Sequence, residues 1–148
     1  MRKDVDLEQR VRRDLAFLFE EHGATVRSNT LQDFGNSEVI VAAGNLDFQF
    51  AKNPRDGETR VAVGPRNGHG VWELLHVALA AATGEDAMSL TFPISYSDDP
   101  AKLSYVGLTR VAEVLRPRFE RLDSAFAPDN YSVTHSRIMQ IERLVHPR

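Results

Sequence analysis

Glu73-Leu74-Leu75-His76 is the one place in this 148-residue chain where an acid and a histidine stand at the Glu-x-x-His spacing of di-iron helix bundles. Residues three apart share a helical face, so both side chains could reach one metal. A complete ligand set needs a second such unit and further carboxylates, and no second unit follows, so the pair reads as a polar edge on a buried helix. His135, Glu142 and His146 also project from one polar side of the last helical segment. A fraying terminus holds metal poorly, so that side reads as solvated. Gly68-His69-Gly70 has the pliant backbone of a phosphate-cradling turn before a helix. Neither a Walker lysine nor a full GxGxxG accompanies it, and it follows an antiparallel meander rather than the strand of a βαβ unit. No serine occupies a Gly-x-Ser-x-Gly elbow. What remains for catalysis is a loose set, Asp33, His69, Glu73 and His76. It would serve a small hydrolase or ligand-binding enzyme only if a pocket beside the loop from Gly64 to Gly70 gathered these side chains.

Composition narrows the classes further. The absence of cysteine excludes disulfides, thiolate catalysis and cysteine-ligated metal, and fits a reducing cytoplasm. A net charge of −3 gives no general attraction to phosphate backbones. Arg10, Arg12 and Arg13 share their helix with Glu8, Asp14, Glu20 and Glu21, the pattern of a solvated face rather than a nucleic-acid stripe. The longest apolar run, from Leu74 to Ala82, is far shorter than the roughly 20 residues of a membrane span and is broken by His76. Neither nucleic acid, membrane nor a cofactor is therefore expected as a partner.

The elements that must position any site read clearly between Glu38 and Val63. Gly44-Asn45 is a two-residue hairpin signal. It sets Ala43 against Leu46, Val41 against Phe48 and Val39 against Phe50, all on one face of the pleat. A second turn at Pro54-Arg55-Asp56-Gly57 places Val61 opposite Phe50 and Val63 opposite Phe48 on the same face. Around this meander the periodicity predicts a first helix from about Asp6 to His22, with Phe17 off its apolar stripe, and a short strand over Ala24 to Ser28. A turn-rich loop is expected from Asn29 to Asn36. A mostly apolar helix follows from Val71 to Thr83, then an edge strand around Leu90 to Tyr96 interrupted by Pro93. A third helix, capped at Asp98-Asp99-Pro100, carries Leu103 to Leu122 and is kinked near Val114 by Pro117. The last helix places Ile138, Ile141, Leu144 and Val145 on one face. The whole chain, residues 1–148, reads as a single α+β domain. Its antiparallel meander has three to four strands, with about four helices packed mainly on one face.

That register leaves Ile40, Ala42, Asp47, Gln49, Arg60 and Ala62 on the outer face. Mixed apolar and charged surface of this kind suits a protein interface, with Arg60 as an anchor because arginine combines area with directional donors. Off-stripe Phe17, or Ile40 and Ala42, would equally complete a twofold homodimer.

The segments Asp33-Phe34-Gly35-Asn36, Val39-Ile40-Val41, Leu46-Asp47-Phe48, Arg55-Asp56-Gly57, Val61-Ala62-Val63 and Trp72 resemble short uncharacterised bacterial proteins of the toxin-immunity type, over about Asp33 to Ala82. The resemblance implies a cytoplasmic protein that neutralises a cognate toxin by occlusion, without catalysis of its own.

Overall fold

The computed structural model describes residues 2–53, 58–66, 68, 70–91 and 106–145. Five strands form one antiparallel sheet in chain order: β1 Thr25–Leu31, β2 Ser37–Ala43, β3 Leu46–Asn53, β4 Glu58–Pro65 and β5 Glu73–Leu74. The meander register is the one read from the sequence, with Val39 against Phe50, Val41 against Phe48, and Val61 and Val63 continuing both rows. The sheet is wider than the three to four strands expected. Glu73 and Leu74, after the Val71-Trp72 segment, pair with β4 before any helix begins.

β1 is also longer than expected and runs through Leu31, so the first three residues of the anticipated loop are strand and the rest holds a 3-10 turn at Asp33–Gly35. A bulge between Val26 and Ser28 leaves Arg27 without a β2 partner. A bulged residue is re-aimed relative to its ladder, and Arg27 turns onto the outer face to form an ion pair with the buried Asp47.

The first helical stretch divides at Leu15, whose φ of −116° and ψ of 36° leave the helical region. This gives α1 Val5–Asp14, capped by the Asp4 carboxylate on the Leu7 amide at 2.9 Å, and α2 Ala16–His22. The break re-aims α2 and overturns the surface role expected of Phe17. Its ring is 6% exposed and meets Phe119 edge-on at 6.5 Å. The following helix, α3 Leu75–Thr83, starts four residues later than predicted, and Leu75, Val77, Ala78, Leu79, Ala80 and Ala81 are all buried on it. Pro117 divides the next stretch as expected, through a 3-10 turn at Arg116–Arg118 between α4 Val106–Leu115 and α5 Phe119–Ala125. The last helix, α6 Tyr131–Val145, buries Ile138, but Leu144 lies on its exposed side rather than on the expected inner face. The Pro54 to Gly57 turn, the acidic cap at Asp98 and all but the first two residues of the edge strand expected from Leu90 lie outside the described residues. Leu90 itself ends a 3-10 turn.

The inward apolar residues of β2, β3 and β4 share one core with Leu7, Leu18, Leu79, Leu115, Leu122 and Ile138 of the helices. The Gly44-Asn45 turn joins the two layers. Gly44 has φ 59°, the Asn45 amide donates to Asp123 Oδ1 at 2.7 Å, and Asn45 Nδ2 donates to the Asp123 carbonyl at 3.2 Å. A β-carbon at Gly44 would collide with the Asp123 carboxylate.

Gly44→Ala should therefore lose roughly 2–4 kcal/mol, combining left-handed strain with the disturbed hydrogen bond. In an Asp123→Ala background the collision is relieved. A chemical-denaturation double-mutant cycle should show the double variant losing less stability than the sum of the two single losses.

Candidate functional site

Chain geometry separates the residues first considered for catalysis. Glu73 lies in β5 rather than on a helix with His76, so the two do not share a helical face. Asp33 follows β1 at the opposite edge of the sheet, roughly 19 Å away across four strand spacings. There it is exposed and pairs with Arg2 at 3.0 Å. His76 is half-buried on α3, and His69 and His146 lie outside the described residues.

Glu73 has acquired other neighbours. Tyr131, His135 and Glu142 stand at positions i, i+4 and i+11 of α6, which places them on one helical face. That face, read from sequence as solvated, turns inward over β5. Glu73 is 8% exposed, hydrogen-bonds Glu142, and lies 3.7 Å from His135 Nδ1 through its Oε1. The Tyr131 ring is 5.8 Å from the imidazole, and its hydroxyl is buried without a hydrogen-bond partner among the described residues.

Burial, reinforced by the Glu142 charge and by the hydrogen bond from one carboxyl to the other, raises the Glu73 pKa above 4.5 against the opposing pull of His135. Burial and the Glu73 charge likewise raise the Tyr131 pKa. The contact between the two carboxyls joins β5 to α6. Among the described residues, no group of three or more His, Asp or Glu side chains is arranged to hold a metal ion.

The outer sheet face is the second candidate site, and its two ends differ. At one end Ala42 and Asp47 are buried, and Gly64 lets the Val71 carbonyl and the Trp72 ring close over the sheet; a β-carbon at Gly64 would strike that carbonyl. Ala42 and Asp47 are thus removed from the surface expected of them. Toward the other end Ile40 and Gln49 are half-buried, Gln49 donates to Glu38 Oε2 at 2.6 Å, and Arg60 is exposed. A cleft of about 450 Å³ opens beside them, between Thr30, Asn36, Glu38, Ala51, Lys52 and Arg60. Neither Lys52 nor Arg60 has a carboxylate partner among the described residues. The register placed Arg60 here; Lys52 escaped notice because its parity points it inward, and only the strand end brings its side chain to the cleft.

The chain is therefore an α+β protein with a buried acidic cluster behind its sheet edge and an open cleft on its outer sheet face. Comparison with protein families, curated proteins and solved structures gives no match.

The Glu73 cluster makes stability depend on pH in a definite direction. A carboxyl whose folded pKa is raised supports the fold fully below its unfolded value, near 4.5, and that support is lost as pH rises through the folded value. Glu73→Gln, which stays neutral, should unfold at a higher temperature than the parent at pH 7 and at nearly the same temperature at pH 4. Thermal melts across this range check it, and a gap of equal size at both ends would contradict the assignment.

Proposed function

We propose that this chain is a noncatalytic protein-binding module whose contact surface is the open end of the outer sheet face. The observation that carries the reading is the cleft beside Ile40, where Lys52 and Arg60 stand without carboxylate partners among the described residues, next to amide and hydroxyl side chains. An arginine at the edge of a partly apolar concavity is the composition of an interface hot spot. Following the resemblance to toxin-immunity proteins, the partner is a cognate bacterial toxin, bound in the cytoplasm and neutralised by occlusion. Buried Phe17 offers nothing to a homodimer, so self-association through the proposed patches would have to use Ile40.

A second reading, a small hydrolase or ligand-binding enzyme, draws on the Glu73–His135 pair, since a carboxyl with a raised pKa can donate a proton. It requires a different set from the one first assembled around the Gly64 to Gly70 loop, and Glu73 is nine-tenths buried. The protein-binding reading is the better supported.

Lys52→Glu/Arg60→Glu, folded as judged by circular dichroism, should bind the copurifying partner, identified by mass spectrometry, at least about tenfold more weakly, a change of about 1.4 kcal/mol. Titration calorimetry measures it. Unchanged affinity would move the interface off this face.

A further inference from the structure

The helical layer carries a second surface, on the side of the molecule away from the outer sheet face. Along α6, Val133, Arg137, Gln140 and Leu144 follow a 4-3-4 spacing, the seam of a heptad pattern. The seam points away from buried Ile138 and is open, with Val133 56% and Leu144 82% exposed. Beside it runs a trough formed by two adjoining clefts of about 370 and 490 Å³ that share Ala82 and Arg137. Small residues at the end of α3, Ala80 to Gly84, line it on one side, and Arg121 and Ser124 of α5 stand at its mouth. Short side chains there let another backbone approach closely.

The charge of the trough is one-sided. Its carboxylate, Glu85, is already held by Arg118 through two bonds of 2.6 and 3.1 Å, which keeps its pKa at about 2. Arg121 and Arg137 pair with no carboxylate among the described residues. A chain of net charge −3 thus places two guanidiniums that form no ion pair among the described residues, Arg121 within electrostatic reach of the Arg118-bound Glu85, next to exposed valine and leucine. A second copy of this chain fits poorly, because twofold antiparallel pairing of the seam would bring two Arg137 side chains together near the axis. Like charges so placed oppose association.

We infer that this trough and seam accept an amphipathic helix of another protein, acidic along the flank that meets Arg121 and Arg137 and apolar where it meets Val133 and Leu144. Helix-in-groove recognition uses anchors at this spacing. Val133 to Leu144 covers roughly 17 Å, about three turns of partner helix.

The probe is a fluorescein-labelled synthetic helical peptide of three heptads, with leucine at the seam positions and glutamate on both flanks. Its counterpart carries lysine in place of glutamate. Fluorescence anisotropy should show the acidic peptide binding at least about tenfold more tightly than the basic one, and more weakly as salt rises. Arg121→Glu/Arg137→Glu should reverse that preference. Leu144→Ser should weaken the acidic peptide, and Lys52→Glu/Arg60→Glu should leave it unchanged, which separates this surface from the outer sheet face. Equal affinity for the two peptides, no binding of either, retained preference in the double arginine variant, or loss in the Lys52/Arg60 variant would overturn the inference.

Discussion

The two-residue period of the pleat is the constraint from which the rest of the molecule follows. With Phe48 and Phe50 committed to one side of β3, every neighbour in register sends its apolar side chain the same way, and a shift of one residue would expose the whole row. The helices gather where that apolar surface is, and the opposite side is left to Ile40, Gln49 and Arg60. The aromatic stack continues across the layers, with the Phe119 ring 6.4 Å from Phe48 and 3.7 Å from the His22 imidazole. A single alternation thus decides both what is buried and what is available for recognition.

The same economy governs the first turn of the chain. Asp4 caps α1 and accepts from the Ser37 hydroxyl at 2.7 Å, while its backbone amide and carbonyl both bond the side chain of buried Asn29. Asn29 Nδ2 also donates to Glu8 at 3.1 Å, and that hydrogen bond, more than the nearby Arg12, holds Glu8 below its ordinary pKa. Polar groups at the entrance to β1 and β2 are buried because each finds a partner, as buried hydrogen-bonding groups must. Helix α1 is thereby registered against the sheet through side chains of three separate elements.

The meander was legible residue by residue because it rests on local rules, a glycine turn and strict alternation. Pro117 was legible for the same reason. Features set by tertiary contact were not. Nothing in the spacing around Leu15 announces a break, since its apolar stripe continues smoothly; the turn there follows from what Phe17 and Leu18 must reach. Glu73 was read on a helix because Val71 to Thr83 suits one by composition, whereas hydrogen bonding to β4 claims its first residues. The polar side of α6 was visible as a pattern at His135, Glu142 and His146, but only the fold reveals that His135 and Glu142, with Tyr131, face a carboxyl instead of water. Of the outer-face residues, Arg60 and Ile40 stayed at the surface, and Ala42 and Asp47 were covered by segments whose path the sequence does not encode locally.

The bulge at Arg27 has a bearing on how the molecule behaves in a crowd. A sheet left open at its sides invites another chain to add a strand, the first step toward fibrous aggregates. Here β1 is kinked in mid-course and carries a charge at the kink, and its far end is occupied by Arg2, whose carbonyl takes the Leu31 amide at 3.0 Å. The opposite rim, β5, is only two residues long before the chain turns into α3. Neither rim among the described residues offers a long straight template, so the sheet resists polymerising edge to edge even when copies of the molecule crowd together.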